Sequence, residues 1–279
     1  MSTVDYERIL APIRRRHQQR MDDDWVTIKG THVLLGAGGV AMSGGKLKGL
    51  TFANAKSTSK GKAAETNAFM ENHKDELSQI SKVPVKKLNK NLSEQEIIDR
   101  LAGPDKTGGS CASVAYAYIA NKAGLDVLDF RGGKSREFFG IRDNGNELAK
   151  LPGVKSALDT RVNDYSSAHQ LYKSMEQGKE YMLRVGSHAA IVRKTGKTVE
   201  WLELQDSEHR GWHELNDHVL KLRFGAKRER KLFYDQKLER TNSIVEVESL
   251  GKSAGFAELM SNINTSEANQ QKGVGGGIK

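Results

Sequence analysis

The sequence predicts an α+β protein, and three observations support this class. Helical segments with recognisable start and stop residues alternate with short strands rich in β-branched residues. Two of these strands are joined by a two-residue turn, as in an antiparallel hairpin. The chain has 279 residues, of which 37% are hydrophobic. This is enough for one core, with part of the length left for linkers or tails.

The helices are predicted from their ends. Ser93 and Glu96 form a capping box that opens a helix ending before Gly103. The small-residue segment after residues 108–111 is helical, and Gly124 ends it. A further helix covers residues 166–178.

The strands are predicted from alternation. Residues 25–35 form a strand or hairpin, and a Gly/Ser/Lys-rich loop or linker follows over 36–62. Residues 180–195 and 198–206 are strands joined through Gly196-Lys197, a typical hairpin connection.

Charge divides the chain into three parts, although the whole chain carries +9. Residues 1–90 are expected to be a basic N-terminal module, with +7 over 29–90. Residues 91–220 are close to neutral at −2 and are expected to be the main domain. Residues 221–279 are expected to be a basic segment, +5 over 221–240, followed by a mobile tail.

Several function classes are disfavoured. No apolar run is long enough to span a membrane, and the N-terminus lacks the apolar region of a secretory signal. A single cysteine excludes an intramolecular disulfide and a multi-cysteine zinc site. Gly36-x-Gly38-x-x-Ala41 matches a dinucleotide fingerprint, but more glycines follow where a helix is needed. We therefore expect no dinucleotide cofactor. His209 and His213 lie four residues apart, but the Glu of the zinc motif is absent, so we expect no metal either.

Cys111 is the first candidate for chemistry. It follows Gly108-Gly109-Ser110 and opens a predicted helix. A helix N-terminus carries partial positive charge and free amide donors, which favour a thiolate and can stabilise an oxyanion. The alternative is an inert, buried cysteine, the usual state of a lone thiol.

A thiol nucleophile needs a base and an acceptor that orients the base. His188 begins an apolar strand directly after Gly186-Ser187, and the next strand ends at Gln205-Asp206. Antiparallel pairing can bring that end to the histidine, so either Gln205 or Asp206 is the third candidate. The alternative for His188 is a histidine that only packs or hydrogen-bonds within the sheet.

Residues 105–215 resemble the papain-fold toxins of bacterial and phage polymorphic systems. The resemblance rests on Cys111 at a helix start, Gly124-Leu125-Asp126-Val127 after that helix, Gly186-Ser187-His188 on one strand and Leu204-Gln205-Asp206 on the next. It implies a papain-like fold, in which the helix-borne cysteine packs on a small antiparallel sheet behind a flexible basic N-terminal segment. It also implies that Cys111 is the nucleophile, His188 the general base and acid, and Gln205 or Asp206 the orienting residue.

The function implied is a thiol hydrolase that cleaves a peptide or isopeptide bond, or deamidates glutamine, as a phage-associated toxin or effector. Its substrate is a protein or peptide, and its location is the bacterial cytoplasm or the virion. Residues 25–35 and the Gly/Lys-rich stretch are similar to segments of phage head-associated proteins.

Two alternatives remain open. One is a non-enzymatic virion or nucleic-acid-binding protein that uses segments 29–90 and 221–240 to contact nucleic acid or phage head proteins. The other is a degenerate papain fold retained for binding.

Overall fold

The structure, a computed structural model, describes residues 25–28, 31–36, 39–42, 68–103, 110–129, 132–229 and 240–264. The chain divides into two compact units, residues 1–57 and 58–279. The predicted Gly/Lys-rich linker lies mostly outside the described residues, as do the last residues of the predicted tail.

The first unit contains a three-stranded antiparallel sheet with β2 in the middle. Its strands are β1 (Trp25–Ile28), β2 (Thr31–Gly36) and β3 (Gly39–Met42). Gly36, the first glycine of the dinucleotide-like pattern, pairs with Gly39 at the end of the β2–β3 ladder. Part of the segment expected to be a loop is therefore a strand.

The second unit is built on a six-stranded antiparallel sheet. In spatial order its strands are β10 (Gly211–Glu214), β9 (Thr198–Glu203), β8 (His188–Thr195), β7 (Glu180–Val185), β11 (Asn242–Glu246) and β6 (Ser156–Asp159). Two short strands, β4 (Lys86–Lys87) and β5 (Leu125–Asp126), pair separately. The mixed α+β class predicted from the sequence is confirmed.

Helices cover both faces of the large sheet. One face packs against α3 (Cys111–Lys122), which contacts α2 (Glu94–Leu101), α4 (Gly133–Gly140), α8 (Val247–Gly251) and α9 (Phe256–Met260). The other face packs against α6 (Asp164–Tyr172), and α7 (Asp217–Leu222) contributes Leu220 to the same core. The remaining described helices are α1 (Lys74–Ser78) and α5 (Arg142–Ala149).

The predicted helix ends are confirmed at two places. Ser93 and Glu96 form the capping box of α2, each side chain bonding the other's backbone amide. Helix α3 ends just before Gly124, which has φ +79°. Because α3 is rich in alanine, its backbone lies close to the sheet, and residues 112–121 are all buried.

The second unit extends beyond both of the boundaries expected from the sequence. Phe69 and Leu77, within the expected N-terminal module, are buried in its core. Strand β11, within the expected basic segment and tail, lies between β7 and β6 and is buried throughout. A five-residue strand buried on both faces has no alternation, so the sequence carries little sign of it.

Among the described residues, the longest and most apolar helix falls short of what crossing a membrane requires.

Candidate active site at the start of helix α3

The thiol of Cys111 lies at the first residue of α3. Cys111 is half-buried, and Ser110 before it is fully buried. The first amides of an α-helix have no acceptor within the helix, and their dipoles favour a negative charge placed there. The helix has twelve residues, of which ten, 112–121, are buried, so its first turn is held by packing.

His188 is placed by a tight turn between β7 and β8. Gly186 has φ +63°, and a Cβ there would lie 2.0 Å from the carbonyl oxygen of Phe224. The amide of Ser187 donates to the same oxygen at 2.7 Å. Glycine is required at this position by both its conformation and the close approach of Phe224. The turn delivers His188 to the first position of β8, opposite Val185.

The imidazole of His188 packs at the end of the sheet. Its ring meets Phe224 edge-on at 4.9 Å between centroids and Trp201 at 6.3 Å. Along β8, Ala189 faces the core that α3 covers, whereas Ala190 faces the opposite core. By this alternation His188 belongs with Ala190. The ring of His188 thus packs against Phe224 and Trp201, and the residue also lines the cavities that reach Cys111 at the end of the strand.

Cys111 and His188 line the same cavity, which has a volume of about 270 Å³. A much smaller cavity of about 10 Å³ brings Cys111, His188 and Gln205 together in its lining. The residues that line the larger cavity are Cys111, Ala112, Gly140, Arg142, Arg184, Ser187, His188, Ala189 and Arg240. The two candidate residues, Cys111 and His188, thus line one cavity.

The structure separates the two candidates for the third member. The side-chain amide of Gln205 donates to Ser110 Oγ at 3.1 Å, directly before Cys111. The β8–β9 pairing ends at Ile191 and Leu202, and Gln205 follows β9 by two residues. The sequence contains no signal that distinguishes Gln205 from its neighbour in this respect.

Asp206 is engaged in the turn that follows. Its carboxylate accepts from the Glu208 amide at 2.9 Å and lies 2.8 Å from Nδ1 of His209. Partial burial opposes ionisation, but the hydrogen bonds from His209 and the backbone hold the pKa of Asp206 below its usual range. The structure brings Gln205 to Cys111 and leaves Asp206 in this turn.

The buried pair of Glu203 and Arg223 supports the Gln205 segment. Glu203 forms an ion pair with Arg223, and its carboxylate accepts from the Gln205 amide at 2.7 Å. Burial raises the pKa of Glu203, while Arg223 opposes that rise. Sequence patterns missed this pair because its members lie on different elements.

Sequence analysis also missed three arginines at the larger cavity. Arg142 opens α5, Arg184 lies in β7 and Arg240 precedes β11. Each comes from a different segment, and Arg240 had been grouped with the basic stretch 221–240. Their convergence follows from the tertiary fold, since β11 inserts beside β7.

Comparisons with protein-family models, curated proteins and solved structures found no match. Among the described residues, there is no group of three or more His, Cys, Asp or Glu side chains that could hold a metal ion. His209 and His213, the pair considered for metal, lie on a turn and on β10, and a ring nitrogen of His213 is 2.6 Å from the His209 carbonyl oxygen.

Proposed function

We propose that this protein is a cysteine-dependent amide hydrolase with a papain-like arrangement of Cys111, His188 and Gln205. The observation that carries the proposal is the cavity of about 270 Å³ that Cys111 and His188 line together. The start of a buried helix packed on an antiparallel sheet supports the papain-like comparison. Gln205 takes the third place because it contacts Ser110, whereas Asp206 is held by its own turn.

In the proposed reaction, His188 takes the proton of the Cys111 thiol, and the resulting thiolate attacks the carbonyl carbon of an amide. A carbon–sulfur bond forms, and the carbonyl electron pair moves to oxygen, where the Cys111 backbone amide at the helix start stabilises it. When the tetrahedral intermediate collapses, the carbon–nitrogen bond breaks and His188 gives its proton to the leaving amine. The product bound to the protein is a thioester.

Water completes the cycle. His188 accepts a proton from the water as it attacks the thioester, and the carbon–sulfur bond then breaks. The acid is released and the thiol is restored. With a main-chain or isopeptide amide this sequence is proteolysis, and with a glutamine side chain it is deamidation.

The biological role proposed with this chemistry is that of a phage- or prophage-associated toxin or effector. It would act on a protein or peptide in the bacterial cytoplasm, or be carried in the virion. This part of the proposal rests on the sequence resemblance of residues 105–215.

Turnover of a defined peptide mixture tests the proposal. Products are identified by mass spectrometry, because cleavage splits a peptide and deamidation converts an amide to an acid. We expect Cys111→Ala to lower the rate by about 10³-fold or more, as loss of a nucleophile does. Gln205→Ala is expected to lower it about tenfold, and its matched neighbour Asp206→Asn to change it less than about twofold.

Two results would contradict the proposal. One is product formation by Cys111→Ala at the wild-type rate. The other is an absence of products combined with DNA binding that weakens with salt and survives Cys111→Ala, which would support the nucleic-acid-binding alternative.

A further inference from the structure

The cavity beside Cys111 is lined by cations. Arg142, Arg184 and Arg240 all contribute to its wall, and its lining includes no aspartate or glutamate from the described residues. Three guanidinium groups around one small space create a positive potential that the cavity walls concentrate. The whole-chain charge does not explain this, because the segment 91–220, which supplies two of the three, carries −2.

Arg184 is the most informative of the three because it is 5% exposed. Its guanidinium donates to the carbonyl oxygens of Phe139 at 2.6 Å and Ile141 at 3.3 Å, and it lies 6.0 Å from the Tyr116 ring. Among the described residues, no carboxylate forms an ion pair with it. Among the described residues, carbonyl dipoles alone compensate this charge, and a buried charge is more stable beside an opposite one, so the cavity wall favours an anionic ligand.

Two other half-buried arginines of this unit, Arg193 on β8 and Arg223 directly after α7, are compensated by carboxylates. Arg193 pairs with Glu200 at 2.7 Å, and Arg223 pairs with the buried Glu203. Arg184 on β7 departs from this pattern, and it does so at the cavity wall.

Backbone oxygens fix the positions of the other two arginines. Arg142 and Arg240 both donate to the carbonyl oxygen of Gly186, Arg240 at 2.6 Å. Arg142 also donates to the Thr241 carbonyl at 3.0 Å. Gly186 is two residues from His188, so the charges are held beside the proposed base. Guanidinium groups fixed in this way recognise planar carboxylates well.

We propose that this cavity binds a carboxylate of the substrate, next to the amide that Cys111 attacks. The substrate is then an acidic peptide, with the carboxylate supplied by an aspartate or glutamate side chain or by the chain terminus. The volume of about 270 Å³ is enough for one such group and part of its chain. This inference rests on the proposed function for the reaction, but not for the binding of the anion.

Alkylation of Cys111 by two nearly isosteric reagents tests the binding directly. Iodoacetate carries a carboxylate and iodoacetamide a neutral amide. In both cases the thiolate forms a carbon–sulfur bond and iodide leaves with the electron pair. Because Cys111 is the only cysteine, each rate reports on this site alone. The reference is the same pair of rates for a short unstructured cysteine peptide.

We expect the ratio of iodoacetate to iodoacetamide rates to exceed the peptide reference by about tenfold or more, as focusing of an anion predicts. Raising the salt from about 0.01 M to about 1 M should bring the ratio close to the reference, because the screening length falls from about 30 Å to about 3 Å. Arg240→Gln should lower the ratio about fivefold. Arg240→Lys should restore most of it, and Arg161→Gln, an exposed arginine paired with Asp159, should leave it unchanged.

A ratio equal to the peptide reference at low salt overturns the proposal, whatever the reactivity of the thiol. If Arg240→Gln does not fold, the proposal is tested by the same ratio of rates in Arg142→Gln and by the salt dependence of the ratio in the wild-type protein. If the ratio is raised but the thiol reacts like an ordinary thiol, the anion site is supported and the proposed hydrolase is contradicted. If the thiol is activated but the ratio equals the peptide reference, the hydrolase is supported and the anion site is contradicted.

The source of the carboxylate is resolved with peptides once turnover is detected. Replacing glutamate by glutamine near the scissile amide tests a side-chain carboxylate, and capping the C-terminus as an amide tests a terminal one. Loss of at least about tenfold in kcat/KM is expected for one of the two changes. If neither change lowers kcat/KM, the substrate assignment is wrong.

Discussion

The two ends of helix α3 border two cavities with contrasting charge arrangements. The cavity at the Lys122 end is the larger, at about 420 Å³. There, Lys122 lies 3.2 Å from Glu180, Lys179 lies 2.7 Å from Glu246, and Lys252 forms an ion pair with Glu248. The cavity at the Cys111 end is lined by three arginines: Arg184 donates to the carbonyl oxygen of Phe139, and Arg142 and Arg240 both donate to that of Gly186.

The two cavities differ in how their charges are compensated. At the Lys122 end the protein supplies both signs of charge, so the surface is neutralised internally. At the Cys111 end the positive charge of Arg184 has no carboxylate partner among the described residues, and Cys111 and His188 line the same cavity. The smaller cavity is therefore the one organised for an anionic ligand.

The largest loss of stability is expected when alanine replaces Gly145, which lies beside Arg184. The matched control is Gly178, which lines the cavity at the Lys122 end. A Cβ on Gly145 would lie 1.5 Å from Nη1 of Arg184, so Gly145→Ala must displace the guanidinium from its carbonyl acceptors. We expect a loss of about 2–4 kcal/mol in the free energy of unfolding, since hydrogen bonds to a charged group contribute about 1.5–3 kcal/mol each. Urea denaturation measures it.

Gly178→Ala is the control at the Lys122 end. Gly178 has φ +72° and open space around a Cβ, so alanine there meets only backbone strain, about 1–2 kcal/mol. If Gly145→Ala costs no more than Gly178→Ala, Arg184 is not held in place as described.

The smallest effect is expected from Glu180. Burial raises its pKa, with Lys122 opposing, so the folded state binds this proton more tightly than the unfolded state. The stabilisation is present below the unfolded pKa and is lost as the pH rises through the folded pKa. Glu180→Gln keeps an acceptor for Tyr118, which donates to Glu180 at 3.2 Å. We expect the difference in the free energy of unfolding between Glu180→Gln and wild type to shift in favour of the variant as the pH rises from about 4 to about 7. Urea midpoints at the two pH values measure this shift.

A constant or decreasing difference between the two pH values would show that Lys122 outweighs burial. In that case the Lys122 end stabilises a full ion pair, and its contrast with the Cys111 end becomes larger.

The sequence predicted the elements that have local signatures. The capping box at Ser93, the glycine after α3 and the hairpin before Thr198 depend on residues close in sequence, and all three are confirmed. Cys111 at a helix start and His188 at a strand start belong to the same class, because each position is set by adjacent glycines or small residues.

The remaining features depend on contacts between distant segments. Strand β11 is recognisable only when β6 and β7 flank it, and its insertion brings Arg240 to the cavity. The choice between Gln205 and Asp206 depends on a bond to Ser110, 95 residues away in sequence. No sequence pattern predicts that Arg184 is buried, because the carbonyl oxygens that it contacts belong to residues more than 40 positions earlier in the chain.

If His188 activates the thiol of Cys111, the pH dependence of iodoacetamide labelling must differ from that of an ordinary thiol. An ordinary thiol of pKa about 8.5 retains about 1% of its maximal rate at pH 6.5. We predict that the wild-type protein retains most of its maximal rate at that pH, and that His188→Asn lowers the retained fraction to the ordinary value. His169→Asn, which removes an exposed histidine bonded to Asp217, should have no effect. A wild-type profile equal to that of an ordinary thiol and unchanged in His188→Asn would contradict the account.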